Sequence, residues 1–100
     1  MSGIQLPFGT TYETVPASTT GQVMGNVGAK GDTLVNITAT VGTSATSTLT
    51  IIDGTTSYVL VPPSTPVGVY SIEINANSLN GAWSITTAAG VTALVTGNFS

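Results

Sequence analysis

Apolar and polar residues alternate with a period of two along most of the chain, which is the pattern of half-buried β-strands. The clearest case is Val35, Ile37, Ala39 and Val41, which are separated by Asn and Thr residues. The same alternation predicts strands at 48–52, 57–61, 70–76, 82–87 and 91–99, after a short strand that begins at residue 21. No segment shows a helical period, so the pattern predicts an all-β protein.

Glycine and proline fall mostly between these segments and predict how they connect. Asp53-Gly54 predicts a hairpin between the strands at 48–52 and 57–61, and Pro62-Pro63 ends the second of them. Asn80-Gly81 suits a type I′ turn and predicts that residues 76–79 pair with 82–87. Gly97 lies inside the last strand, where it predicts a bulge.

One hundred residues make one domain. We expect residues 21–100 to form a single small antiparallel β-sandwich or jelly-roll-like barrel of about seven strands. Residues 1–20 contain two prolines and two Thr-Thr pairs, and we expect them to form an extended N-terminal arm outside the core. The predicted core consists of Ile37, Ile51, Val59, Ile72, Ile74, Trp83, Ile85 and Val95.

The composition excludes several classes of chemistry. The chain has no His and no Cys, so thiolate or imidazole metal sites, cysteine nucleophiles, histidine bases and disulfides are excluded. Lys30 is the one basic residue against four acidic ones, and a single cation cannot neutralise several phosphates, so we expect no nucleic-acid partner. Charged residues are 5% of the chain, whereas Thr and Ser together supply 29 positions. A surface that is polar but uncharged suits a large assembly whose neighbours cover the strand edges, or an extracellular Thr-rich β protein, and both favour a structural or adhesive role. The alternative is an unusually neutral monomer.

The remaining candidates for chemistry are weak. The four carboxylates are Glu13, Asp32, Asp53 and Glu73, and none of them forms a pattern typical of a glycosidase or a calcium loop. The glycine-rich residues 25–32 do not match a phosphate-binding loop, because no Ser or Thr follows a Gly-Lys pair. We therefore predict no enzymatic activity, no cofactor and no metal.

The N-terminus has no basic segment, and its apolar positions are interrupted by Gly, Gln and Pro, so we expect no signal peptide. No apolar run approaches the roughly 20 residues of a membrane helix, and we expect no membrane partner.

Aromatic residues offer one binding alternative. Tyr58, Tyr70 and Trp83 lie on predicted strands, where they could form a platform that stacks on sugars. Trp83 alternates in phase with Ile85, and Tyr70 with Ile72, which favours core packing instead.

Several turns and strands resemble one known family. They are Gly-Ala-Lys-Gly-Asp at 28–32, Ile-Ile-Asp-Gly-Thr at 51–55, Asn-Gly-Ala-Trp-Ser-Ile-Thr-Thr-Ala-Ala-Gly-Val at 80–91, and Val-Thr-Gly-Asn-Phe at 95–99. Together they are similar to small virion proteins of tailed bacteriophages, over roughly residues 21–100. The sequence departs from the family pattern at Ala82, where glycine is common, and at Ser84, where lysine is common.

The resemblance implies a head decoration, or cement, protein on the outer surface of the capsid. Its expected partners are the major capsid protein and copies of itself, as a trimer or dimer at capsid symmetry axes. The expected interface residues are apolar positions of the arm: Ile4, Leu6, Phe8, Tyr12 and Val15. The alternative is a tail, fibre or receptor-binding component that contacts host glycans through Tyr58, Tyr70 and Trp83.

Overall fold

The computed structural model describes residues 11–100, in which eight β-strands are connected by short loops. In chain order the strands are β1 Thr11–Val15, β2 Gln22–Val23, β3 Thr33–Val41, β4 Leu49–Asp53, β5 Thr56–Val61, β6 Gly68–Asn77, β7 Trp83–Thr87 and β8 Val91–Asn98. A 3-10 turn over Ser44–Thr46 lies between β3 and β4.

The strands form two antiparallel four-stranded sheets, which we call sheet A (β1-β8-β3-β6) and sheet B (β2-β7-β4-β5). The pairs β1–β8, β2–β7, β3–β6 and β4–β5 are those of one long hairpin, and rolling it up adds the pairs β3–β8 and β4–β7. An eight-stranded ribbon rolled in this way is a jelly roll. The predicted all-β antiparallel sandwich is therefore confirmed.

The structure differs from the predicted arm. Residues 11–15 form β1, an edge strand of sheet A in register with β8 from Thr11↔Gly97 to Val15↔Ala93. Val15 is fully buried in the core. Its segment, Thr-Tyr-Glu-Thr-Val, lacks the apolar alternation of the other strands, because Tyr12 and Val15 are three residues apart, and β1 is the additional strand beyond the predicted seven. The predicted interface residues Ile4, Leu6 and Phe8 lie outside the described residues.

The core lies between the two sheets. Of the predicted core residues, Ile37, Ile51, Trp83, Ile85 and Val95 are buried, while Ile72 and Ile74 are partly buried and pack against the core.

Val59 is not a core residue, since 60% of it is exposed. The register between β4 and β5 shifts from Leu49↔Val61 to Thr50↔Val59, so that Leu60 is an extra residue. This bulge reverses the phase of β5 and turns Val59 outward while Val61 points inward.

Two predictions about turns had opposite outcomes. The hairpin at Asp53-Gly54 is confirmed: β4 and β5 pair through a two-residue loop in which Gly54 has a φ of 61°. The hairpin at Asn80-Gly81 is wrong, because β6 pairs with β3 whereas β7 pairs with β4 and β2. Neither Asn80 nor Gly81 has the positive φ of a type I′ turn.

The predicted bulge at Gly97 is also displaced. Gly97 is in register with Leu34, and the irregularity lies in β3 between Leu34 and Asn36. The extra residue there is Val35, which places Leu34 in the core instead of Val35.

Candidate interaction surfaces

Three of the four carboxylates bind main-chain N–H groups of the protein itself. Asp32 and Asp53 are buried, and Glu13 is partly buried. Glu73, by contrast, is exposed on the outer face of β6, and Lys30 is exposed in the loop between β2 and β3. Within residues 11–100, Glu73 and Lys30 are thus the charged side chains that face solvent most fully.

Asp32 connects the β2–β3 loop to the residues after β8. Its Oδ2 accepts the N–H groups of Ala29 and Ser100, both at 3.0 Å, and its Oδ1 accepts the Ser100 hydroxyl at 2.7 Å. Burial raises the pKa of Asp32, but the main-chain and hydroxyl donors of Ser100 and the N–H of Ala29 outweigh it and hold the pKa below its usual value. The carboxylate is therefore a structural anion.

Asp53 has the same role at the end of β4. Its oxygens accept the N–H groups of Leu79 and Asn80, which belong to the loop between β6 and β7. Burial raises the pKa of Asp53, and the N–H donors of Asn80, Leu79 and Gly81 lower it to below its usual value. These contacts give the Asn80-Gly81 loop its shape in place of the predicted type I′ turn.

Glu13 fixes β1 to the start of the β2–β3 loop. Its Oε1 accepts the Gly25 N–H at 2.8 Å, and its Oε2 accepts the Gln22 side-chain amide at 2.9 Å. Sequence reasoning missed this role, although Glu13 alternates in phase with the buried Val15. Residues 11–100 contain no group of three or more acidic, His or Cys side chains placed to hold a metal ion.

The three aromatic residues proposed for sugar stacking do not form a shared outward platform. Trp83 is buried, and its indole N–H donates to the Asp32 carbonyl oxygen at 2.9 Å. Tyr70 is half-buried and its hydroxyl donates to the Pro66 carbonyl oxygen at 2.7 Å. Tyr58 is the one of the three that is exposed, with 51% of its surface accessible.

Three of the five charged residues lie toward one end of the sandwich. Lys30 and Asp32 are in the β2–β3 loop, and Asp53 is at the end of β4, beside the β6–β7 loop that it binds. The loops at the other end, residues 16–21, 42–48, 62–67 and 88–90, contain no ionisable side chain. They are tied together internally, for example by the Thr87 hydroxyl, which donates to the Pro16 carbonyl oxygen at 2.6 Å.

The outer faces of both sheets are also poor in charge. On sheet A, Thr14, Leu94, Thr38 and Ser71 form one row across the four strands, and Glu73 is the one charged residue of that face. On sheet B, the rows Val23–Ser84–Ile52–Ser57 and Thr86–Thr50–Val59 contain no ionisable residue.

Apolar residues line the side of the sandwich where β5 and β6 are the edge strands. Two open clefts lie along this side between the sheets, with volumes of about 360 Å³ and 350 Å³. Leu60 lines both of them; Tyr58, Ile74 and Leu79 line the first, and Tyr70 and Ile72 line the second. We call this surface, including the exposed Val59, Val67 and Val69 beside the clefts, the β5/β6 side.

Exposed apolar residues are concentrated there. Nine large apolar or aromatic residues of the described chain are exposed, and five of them lie on β5, on β6 or in the loops next to them. These five are Tyr58, Val59, Val67, Val69 and Leu79. A concentration of exposed apolar residues on one side of a small protein is typical of an interaction surface.

No helix of the described residues is long and apolar enough to cross a membrane. The sequence matches no known family model, and neither a curated protein nor a solved structure matches it.

Proposed function

We propose that this chain is a non-enzymatic structural protein of a tailed-phage virion, which decorates the outer surface of the capsid and stabilises the shell. In this proposal it buries interface against the major capsid protein and against copies of itself. It acts as a cement that adds contact area where shell subunits meet.

The observation that carries the proposal is the nearly uncharged exterior. Glu13, Asp32 and Asp53 act as internal hydrogen-bond acceptors, and the loops at one end of the sandwich contain no charged residue. A protein free in solution normally carries mixed surface charge that keeps it apart from its neighbours. Surfaces made of Thr, Ser and aliphatic residues instead suit permanent contacts, and such contacts are screened little by salt.

The fold is compatible with this role but does not by itself favour it over other functions. Jelly rolls occur in viral capsid proteins, lectins and cupins, so the topology alone leaves the function open. Val15 is buried in the protein's own core, so it is not part of the proposed interface. Tyr12 stays in it, because 72% of its surface is exposed on the outer face of sheet A beside Thr96.

The first test is the copy number of this chain in purified virions of the phage that encodes it, measured by quantitative mass spectrometry against the major capsid protein. We expect a ratio near one or a simple fraction such as a third. A copy number typical of a tail ring or fibre would transfer the protein to the tail, as in the alternative assignment. Absence from particles would overturn the virion proposal.

A second test addresses the nearly uncharged exterior. Purified protein is added to expanded shells that lack it, and its attachment is measured at about 0.1 M and 1 M NaCl, where the screening length falls from roughly 10 Å to 3 Å. We expect the affinity to change less than about twofold, because few charges take part. A steep loss of attachment at high salt would mean that Lys30 and Glu73 dominate the contact, contrary to the proposal.

A further inference from the structure

The four edge strands differ in how well they are protected against pairing with another strand. β2 has two residues, and β1, which has five among the described residues, is followed by Pro16. β5 has six residues, contains the bulge at Leu60 and ends at Val61, directly before Pro62. Short length, bulges and prolines are the usual means by which edge strands avoid association.

β6 lacks these protections over most of its length. It has ten residues and no proline, and within residues 11–100 it pairs with β3 alone. From Gly68 to Glu73 its register with β3 is continuous, and the irregularity begins after Glu73, where Asn75 has a φ of 51°. The Gly68–Glu73 part of β6 is thus a regular edge whose outer hydrogen-bonding groups face no described strand.

We propose that β6 of a second copy of this chain pairs antiparallel with this edge about a twofold axis, joining the two A sheets into one eight-stranded sheet. A twofold axis perpendicular to the sheet keeps the inner faces of both copies on the same side. The apolar clefts of the two β5/β6 sides then adjoin each other. One symmetric contact would cover both free edges together with Tyr70, Ile72 and Val69 of each copy.

The position of Glu73 selects the register. Pairing centred on Glu73 would place two carboxylates directly opposite each other, which is unfavourable. Pairing centred on Ser71 places Val69 opposite Glu73 of the other copy, and along the strand the two carboxylates are then about 13 Å apart. On the inner face, the same register places Tyr70 opposite Ile72 of the other copy, an aromatic and β-branched pair of the kind that stabilises sheets.

A second copy explains these features better than a different partner does. The contact is self-complementary: each copy supplies the same edge, the same cleft and the same single carboxylate, offset so that the like charges avoid each other. The proposal does not rest on a role in the virion, and it is tested on the isolated chain, so its failure is distinguishable from absence from particles.

The test compares two lysine substitutions by sedimentation equilibrium of the full chain. Ser71→Lys places like charges opposite each other at the proposed axis, and Thr14→Lys is the matched control on the outer face of β1, the other edge strand of sheet A. Both residues are exposed, so neither substitution disturbs the core. We expect a wild-type dimer, a dissociation constant at least about tenfold higher for Ser71→Lys, and no change for Thr14→Lys.

Cross-linking tests the register independently. The chain has no cysteine, so Ser71→Cys and Val69→Cys each introduce a unique thiol and both keep Glu73. In the proposed register a short cross-linker with two thiol-reactive groups joins two copies of Ser71→Cys but not of Val69→Cys. The opposite result would overturn the register.

Three results would overturn the proposed contact itself. The first is a wild-type protein that is monomeric at all accessible concentrations. The second is equal disruption by Ser71→Lys and Thr14→Lys, which would locate the contact elsewhere. The third is a dimer that resists Ser71→Lys but is lost when residues 2–10 are deleted, which would identify the N-terminal segment as the contact.

Discussion

Asp53 binds the main-chain N–H of Leu79, which lies 26 residues further along the chain, with both carboxylate oxygens at 3.1 and 3.0 Å. Asp53 ends β4 in sheet B, and Leu79 lies in the loop that leaves β6 of sheet A. The same carboxylate accepts the Asn80 N–H at 3.0 Å. One buried side chain therefore connects β4 of sheet B to the loop that leaves β6 of sheet A.

Asp53→Asn should lower the free energy of unfolding by about 1–3 kcal/mol, because an amide cannot accept all of these N–H donors and leaves buried groups unpaired. Urea unfolding at neutral pH measures the loss. The control is Glu73→Gln, which changes an exposed carboxylate in the same way and should stay within about 0.5 kcal/mol of the wild type. Equal effects of the two substitutions would contradict the structural role of Asp53.

The stability should fall in acid because of Asp32 and Asp53. Burial raises their pKa values, but the N–H and hydroxyl donors outweigh it, so both pKa values are lower in the folded state than in the unfolded state. The folded protein then binds fewer protons than the unfolded chain. The resulting stability is fully present above the unfolded pKa of about 3.9 and is lost as the pH falls through the lower folded values.

Urea midpoints measured between neutral and strongly acidic pH should therefore decrease for the wild type on the acid side. The double variant Asp32→Asn, Asp53→Asn should be less stable at neutral pH and should show a flatter pH profile. A wild-type midpoint that rises on acidification would show that these two pKa values are raised rather than lowered.

Strand positions could be predicted from the sequence because alternation is a local property of a half-buried strand. The inward phase of Ile37, Ile85 and Val95 follows directly from it. The outward phase of Val59 does not follow from alternation, because one extra residue at Leu60 reverses the phase, and no local signal marks that bulge. The strands that pair with β7 cannot be predicted from alternation either, because the loop between β6 and β7 is shaped by Asp53 from a distant strand.

The candidate interaction surface is still harder to predict from the sequence. Tyr58 and Tyr70 stand out in the sequence as aromatic residues on strands, and both line clefts on the β5/β6 side. The sequence does not reveal that β5 and β6 are the edges of opposite sheets, since this depends on how the whole ribbon rolls up. The burial of Glu13, Asp32 and Asp53 against the main chain is likewise a tertiary property.

Gly97→Ala should destabilise the protein by about 2–3 kcal/mol, because the added methyl group overpacks the region between β8 and β3. A Cβ at this position would overlap the Thr33 carbonyl oxygen and the ring of Phe99. Gly21→Ala is a useful comparison, because Gly21 has a φ of 61° and open space around it. Its cost should be only the backbone strain of about 1 kcal/mol, and thermal unfolding of both variants separates the two effects.

Val15→Ala should lower the free energy of unfolding by about 2 kcal/mol, since it removes two buried methyl groups and leaves a cavity. Tyr12→Ala, three residues earlier in the same strand, should change the stability by less than about 0.5 kcal/mol because Tyr12 is exposed. Urea unfolding of the two variants thus tests whether β1 belongs to the sandwich or to an arm outside it.

If both substitutions leave the stability unchanged while a deletion of residues 1–18 still folds with an unaltered circular dichroism spectrum, β1 is not part of the core. If Val15→Ala is destabilising and the deletion unfolds the protein, the sandwich includes β1, and the contacts of the proposed decoration role are then to be sought at Tyr12, before Thr11 or on the β5/β6 side.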